Sequence, residues 1–532
     1  MGWAAIALVV AVPCALQFLH HWTPVGDDAG LANRAWRSLS PHPGVLGPYS
    51  LASAYSSPTA SLTTQPIYGL GPLYFWALAL PVRFNPTLGF FWGASLLVGA
   101  SLLLGFEALR SAGLRRLSLL VPLAAAVLTW RTPLVFANLP WNAYLPVVLA
   151  IPLVALGVAV ASGKVGFWPV QVVLGCLIAQ CEFLFLLPAF LVVVASVAMG
   201  LRHATGAKRR AVGIGVGAGV LCWSPLLLGW AVTWQNLTRL RAAQARIPTM
   251  GWGFGLRLLG RTMWGRPLVL TAAPARPLTA ASVAQWGSPL LGFGVLACTV
   301  LAMVVGWRLQ HRWLGAFAVL LSLLQLSAVF AFAQLPSGFL FIVTFWYLEP
   351  LLWLLSFGSV VLVVGLAVVL LQHLGHSAPH RARLQPVATG ALATLVGVVL
   401  VLGLSTVRHL VPSDQTFLGT THEGSLARQA AQVIEARVPR GELVFDLRWS
   451  RHAASTVTVL TPQYVDQAVL YTLITDGWTP GIHDAFINDF TNWHPVIRKA
   501  PVVELAVTGG GVEVVRVATC ELTRQYRCRR VG

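Results

Sequence analysis

Charge is what this 532-residue chain has least of: 10% of its residues are charged and 56% are hydrophobic. A soluble globular domain carries about 25% charged residues, so the secreted and cytosolic globular classes are excluded. Acids are scarcer still. Before residue 408 there are five, Asp27, Asp28, Glu107, Glu182 and Glu349, against 23 Lys/Arg. Residues 408–532 hold 13 Lys/Arg and 12 Asp/Glu and are nearly neutral. The net charge of +19 therefore sits largely in short loops of an apolar region, where the positive-inside bias puts it, and does not form a nucleic-acid surface. Other absences narrow the chemistry. The chain has no Gly-rich phosphate loop with its lysine, no Cys/His spacing of a zinc site and no Gly-x-Ser-x-Gly elbow.

What is present is a series of apolar runs near 3–19, 72–83, 87–106, 117–136, 143–161, 167–200, 211–231, 287–307, 313–333, 349–371 and 387–407. Crossing a hydrocarbon core takes roughly 20 residues, so the run at 72–83 is too short and that at 167–200 too long for one helix. Five basic connectors help to place them: Arg110/Arg115/Arg116, Lys164, Arg202/Lys208/Arg209/Arg210, Arg308/Arg312 and Arg381/Arg383. All five fall on one side if 72–83 is half-inserted and 167–200 is a hairpin turning at Gln180-Cys181-Glu182. The expected fold is thus mainly α, a polytopic bundle of about 11 spans over 1–407, with a cytoplasmic N-terminus and an external C-terminus. The run Trp3 to Leu19 lacks a basic n-region and reads as a retained first span.

Two outer loops follow from this topology, 20–71 and 232–286, the second with seven arginines. Residues 408–532 form the third outer segment. Their pattern predicts helices at Ser425–Ala436 and Pro462–Thr475 and strands at Glu442–Leu447, 501–508 and 512–518, a small extracytoplasmic α/β domain. Cys520 and Cys528 lie there and are expected to pair in an oxidising compartment. Cys14, Cys176, Cys181, Cys222 and Cys298 lie in apolar runs and read as packing residues.

The acids are the sharpest signal, because a charge in or beside a bilayer is costly and usually faces a protein interior or a wet cavity. Glu107 stands three residues before Arg110 and reads as a helix-end ion pair. The other four fall on the outer face. For Asp27-Asp28 the residues alone leave two readings open: a general base, its proton affinity raised by like-charge repulsion, or an N-cap for Ala29–Leu39. His20-His21 reads as interfacial rather than as a metal site. Trp130, Trp141 and Trp346 read as interfacial anchors or as sugar-stacking platforms.

An acidic pair after the first span, then a long outer loop ending in Gly71-Pro72-Leu73-Tyr74-Phe75-Trp76, resembles the GT-C superfamily of membrane glycosyltransferases, in particular those using polyprenyl-phosphate sugars. Pairs of short spans and an external C-terminal domain also recur in that class. Pro140-Trp141-Asn142 and the Gln180-Cys181-Glu182 turn are similar to elements of actinobacterial members, and the lysine-poor composition agrees with a high-GC genome. The resemblance covers residues 1–230. The His-Pro that usually precedes Pro-Leu-Tyr is replaced here by Leu70-Gly71.

The resemblance implies that Asp27 or Asp28 is the catalytic base. The candidate substrate-binding set joins the elements so matched, Trp141, Asn142 and Glu182, to the outer acid Glu349 and to Arg131, Arg239 and Arg241, which fall near outer span ends. Arginine suits a lipid phosphate, and no metal or other cofactor is implied. The expected function is inverting transfer of a sugar from a polyprenyl-phosphate donor to a glycan, lipid or protein acceptor of the cell envelope, at the outer face of the cell membrane. A transporter or lipid flippase and a non-catalytic scaffold are the alternatives. The topology has a direct test: single cysteines at positions 205 and 420 should react oppositely with an impermeant thiol reagent in intact cells. Labelling at 420 and protection at 205 are expected, and the reverse pattern would overturn the orientation.

Overall fold

The computed structural model describes residues 2–19, 22–40, 43–48, 67–131, 139–203, 206–244, 249–261, 288–335, 342–374, 421–449, 461–482, 499–508, 511–522 and 528–529. The chain is mostly helical and divides into two compact units. One comprises Met1–Pro13, Ser95–Leu228 and Ala245–Val411, the other Cys14–Ala94, Gly229–Gln244 and Pro412–Gly532. The C-terminal residues thus belong with the segment after the first apolar helix rather than standing alone.

Among the described residues, seven helices are long and apolar enough to cross a membrane: Gly2–Leu19, Gly89–Ser111, Phe183–Gly200, Gly206–Leu228, Pro289–Arg308, Arg312–Ala333 and Pro350–Leu370. Leu73–Phe84, Leu145–Ala161 and Val165–Cys181 are shorter apolar helices. The long run at 167–200 is divided as its length requires. Glu182 leaves the helix with an extended backbone (φ −152°, ψ 132°), and a single 3-10 turn at Phe183–Phe185 starts the next helix. The run at 387–407 lies outside the described residues.

In the first unit the helices are tied by side-chain amides and hydroxyls. Thr299 donates to Gln325 Oε1 at 3.0 Å, and Gln325 donates onward to Ser359 Oγ at 3.2 Å. Gln171 donates to Ser196 Oγ at 3.0 Å. Such bonds join helices where apolar contact with lipid competes with apolar contact between helices. The arginine-rich stretch expected as a loop contains helices at Trp230–Gln244 and Trp252–Arg261. The second is strongly amphipathic and packs against Pro289–Arg308 and Arg312–Ala333. Gly255 permits this approach, since a Cβ there would lie 2.3 Å from the Val329 carbonyl oxygen.

In the second unit the C-terminal described residues carry helices Thr421–Arg437 and Thr461–Thr475 and five strands: β1 (Glu442–Trp449), β2 (Thr479–Ile482), β3 (Lys499–Thr508), β4 (Gly511–Leu522) and β5 (Cys528–Arg529). The sheet order is β2-β1-β3-β4-β5. β1 pairs in parallel with β2 and β3, and the remaining pairs are antiparallel. Helix Thr461–Thr475 lies in the β1–β2 connection, as parallel neighbours need a crossover. β4 and β5 carry Cys520 and Cys528, whose side chains lie outside the described set, so the expected disulfide does too.

Asn236, on helix Trp230–Gln244, holds the unit together locally. Its Oδ1 accepts from the Tyr68 N–H at 2.8 Å and its Nδ2 donates to the Tyr68 carbonyl at 2.7 Å, both bonds buried. The amide thereby stands in for a neighbouring β-strand. Asn236→Leu should cost about 1–3 kcal/mol for each backbone group left unpaired, read as a drop in melting temperature of the detergent-solubilised protein. Thr238→Ala, at an exposed and purely local bond, should stay within about 0.5 kcal/mol of wild type. Equal melting of all three proteins would remove Asn236 from this role.

Candidate functional site

The segment after the first span folds as helix Gly26–Arg37, whose composition is polar. Such a helix normally lies on a surface. Here Gly26, Asp28 to Ala35 without a break, and the preceding Val25 are all buried. Its N-cap is Val25, in extended conformation and with no side-chain capping bond. Asp27 and Asp28 fall inside the first turn, so the N-cap reading of the pair is overturned: neither aspartate caps the helix. Their charge still suits the positive end of the helix dipole.

The two ends of this short helix carry opposite charges held in different ways. Arg34 is almost fully buried and donates through Nη1 to the Gly47 carbonyl and through Nη2 to the Leu46 carbonyl at 2.7 Å. Its guanidinium also lies over the rings of Phe75 (4.6 Å) and Tyr68 (5.4 Å). Burial lowers its pKa to about 10, which leaves it charged at neutral pH. Arg34 therefore folds the 43–48 segment back onto the helix. That segment is fastened to the stretch before Leu73 by Gly47 N–H to Gly69 O (2.9 Å) and Gly69 N–H to Pro48 O (2.6 Å). A Cβ on Gly47 would sit 2.8 Å from the Gly69 carbonyl carbon, so the strap requires glycine.

Asp28 has no such support. It is 2% exposed, and its Oδ1 has no hydrogen-bond partner. Among the described residues no cation offsets it. Burial, with the adjacent Asp27 charge as a smaller cause, holds its pKa well above the usual carboxylate range. Asp27 is half-buried. Nearby in the same unit, Asn33 leaves both side-chain polar atoms unpaired and Gln467 leaves its Oε1 unpaired, although both residues are buried. Helix Thr461–Thr475, which carries Gln467, packs on helix Gly26–Arg37. The C-terminal residues close in further through Arg428, donating to Thr23 Oγ1 at 2.7 Å, and Tyr471, donating to the Pro86 carbonyl at 2.7 Å. Buried polar atoms are nearly always paired, so unpaired ones on two packed helices are unusual and make these residues candidates for contact with a ligand or water.

The other residues singled out from sequence divide between the units. Arg239 and Arg241 share the unit of Asp27 and Asp28, on helix Trp230–Gln244. Two apart on a helix they do not share a face: Arg239 is half-buried and Arg241 exposed. Trp141, Asn142, Glu182, Arg131 and Glu349 belong to the other unit. Trp141 is buried, in a T-shaped contact with Tyr144 at 4.8 Å between ring centroids. Asn142 donates to the Cys181 carbonyl (3.2 Å) and to Glu182 Oε2 (3.3 Å), fastening the turn at 180–182. Arg131 ends helix Leu120–Arg131 and Glu349 lies within Ile342–Leu374; their side chains lie outside the described set. Glu107 bonds Arg110 at 2.8 Å, the ion pair its spacing suggests. Among the described residues no cluster of His, Cys, Asp and Glu could hold a metal. No family model and no curated protein matches the chain.

Arg34, Asn33, Asn236 and Gln467 were not singled out from sequence. Arg34 alone carried a signal, as a cation six residues after Asp28 in a segment too short to be a span.

The burial of Asp28 has a measurable consequence. With its pKa raised on folding, the folded chain binds a proton more readily than the unfolded one, so stability falls as pH rises from the ordinary aspartate value of about 3.9. Asparagine does not titrate. Asp28→Asn should therefore melt higher than wild type at pH 7.5, with the gap narrowing as the pH is lowered toward 4. A gap that is constant with pH, or a less stable variant at pH 7.5, would contradict the unpaired carboxylate.

Proposed function

We propose that this protein is an inverting glycosyltransferase. It would move a sugar from a polyprenyl-phosphate donor to a cell-envelope acceptor, with the Asp27-Asp28 pair as general base. The single observation that supports this reading most is Asp28, buried without a partner and beside a second, half-exposed carboxylate. Such an arrangement costs several kcal/mol when ionised, and groups perturbed in this way concentrate at functional sites. The reading includes the finer topology of eleven spans, with the N-terminus cytoplasmic and the pair and residues 408–532 outside.

In the proposed reaction the acceptor hydroxyl attacks the anomeric carbon from the face opposite the lipid phosphate. A carbon–oxygen bond forms there as the bond to the phosphate oxygen breaks, which inverts the centre, and the lipid phosphate departs with the bonding electrons. The hydroxyl proton passes to the aspartate pair. A base is most effective when its pKa approaches the working pH, and burial beside a like charge moves Asp28 in that direction. Of the two, Asp27 has the exposure to meet a substrate. In this reading Arg239 or Arg241 would hold the leaving phosphate, whose charge grows in the transition state.

A proton-coupled transporter would also use a buried carboxylate, but its usual site lies on broken spans at the midplane, and helix Gly26–Arg37 is polar and not among the membrane-crossing helices. The test is transfer from polyprenyl-phosphate sugars by purified wild type, Asp27→Asn and Asp28→Asn proteins. At least one variant should lose about 10²–10⁴-fold in rate while still binding donor. Full activity in both folded variants would exclude the pair as base. A wild type that transfers no sugar and instead acidifies liposomes with a solute gradient would replace the enzyme reading by the transporter.

A further inference from the structure

The first unit contains a cavity that the proposed chemistry leaves unused. Its volume is about 150 Å³, and it is partly open to the surroundings. On helix Arg312–Ala333 it is lined by Trp313, Phe317, Leu321, Leu324, Ala328 and Ala331. Their spacing of three and four places them on one face of the helix, and at 1.5 Å per residue they extend for about 27 Å. That is close to the roughly 30 Å of a hydrocarbon core. Apart from Trp313, no lining side chain carries a hydrogen-bonding group. Water therefore gains nothing there, and a groove of this length in a bilayer suits a hydrocarbon chain.

The two ends differ in charge. At one end Leu109, Leu117 and Trp313 line the cavity. Beside them in the chain stand Arg115, Arg116 and Arg312, all exposed. Arg110 stands there as well, but its charge is already matched by Glu107. At the other end the lining residues are Leu184, Phe185 and Leu351. Glu182, which accepts a hydrogen bond from Asn142, directly precedes that 3-10 turn. An anionic headgroup is attracted to the arginines of the first end, and the lining residues of the second offer it no cation.

We propose that this groove seats one acyl chain of an anionic glycerophospholipid, with the phosphate headgroup at Arg115, Arg116 and Arg312 and the chain end toward Leu184 and Leu351. The site is independent of the sugar-transfer reading, since it uses neither aspartate.

The test uses full-length protein in nanodiscs and two probes with identical chains, phosphatidylglycerol and phosphatidylcholine. Native mass spectrometry should find phosphatidylglycerol retained in preference to phosphatidylcholine. The preference should fall by roughly fivefold for each arginine in Arg115→Gln, Arg116→Gln and Arg312→Gln. Ala328→Phe fills the groove near its far end, where the chain terminus would lie, and losing burial of even two methylenes is worth roughly tenfold in retention. Because a filled variant can fail to fold, phosphatidylglycerol with a photoreactive group at the end of one chain is also cross-linked to the wild type. Adducts are expected on peptides containing 184–188 or 351–354. Adducts confined to 109–121 or Trp313 would reverse the orientation and overturn the proposal, as would equal retention of the two lipids by the wild type.

Discussion

A carboxylate removed from water and left without a counter-charge is among the least favourable things a fold can contain, and the second unit is arranged around one. Helix Gly26–Arg37 is polar by composition, yet most of it is buried, packed on helices Leu73–Phe84 and Thr461–Thr475 and tied to its own returning strap. The strap exists because Arg34 binds the Leu46 and Gly47 carbonyls and stacks on Phe75 and Tyr68. The backbone at Tyr68 is in turn held by Asn236. These contacts pair the Arg34 guanidinium and the Asn236 amide, and none of them reaches Asp28. The helix is thus tied down through its C-terminal half while its N-terminal half keeps an unneutralised acid.

Stability and activity pull against each other at such a place. The cost of Asp28 is offset by the well-paired Arg34 and Asn236 rather than by a local partner. The arrangement would gain nothing from a structural role that asparagine could fill better. In the proposed reaction the same cost becomes proton affinity, which a base near neutral pH requires.

Much of the architecture was legible in the sequence because one physical quantity dominates it. Lipid demands long apolar helices, so run lengths taken with the basic connectors anticipated the apolar helices and the break at Glu182. The acidic pair stood out because acids are rare before residue 408. The rest depends on tertiary partners that leave no local mark. The helix at Trp252–Arg261 lies in an arginine-rich stretch and is defined by the close approach Gly255 allows. Asn236 and Gln467 are ordinary polar residues whose importance comes only from what they meet or fail to meet. The N-cap reading failed because the helix begins one residue before the pair, with Val25 as its cap, and cap positions shift easily by a residue.

The account rests most directly on the protonation of Asp28 in the folded chain. Infrared titration of the full-length protein in lipid, taken as a difference between wild type and Asp28→Asn, isolates that one carboxyl group. The expected result is a protonated-carboxyl band that persists above the usual carboxylate range and is absent from the variant. A difference spectrum in which Asp28 titrates at the ordinary aspartate value would show a solvated or paired group, and would contradict the claim that the fold holds this acid uncompensated.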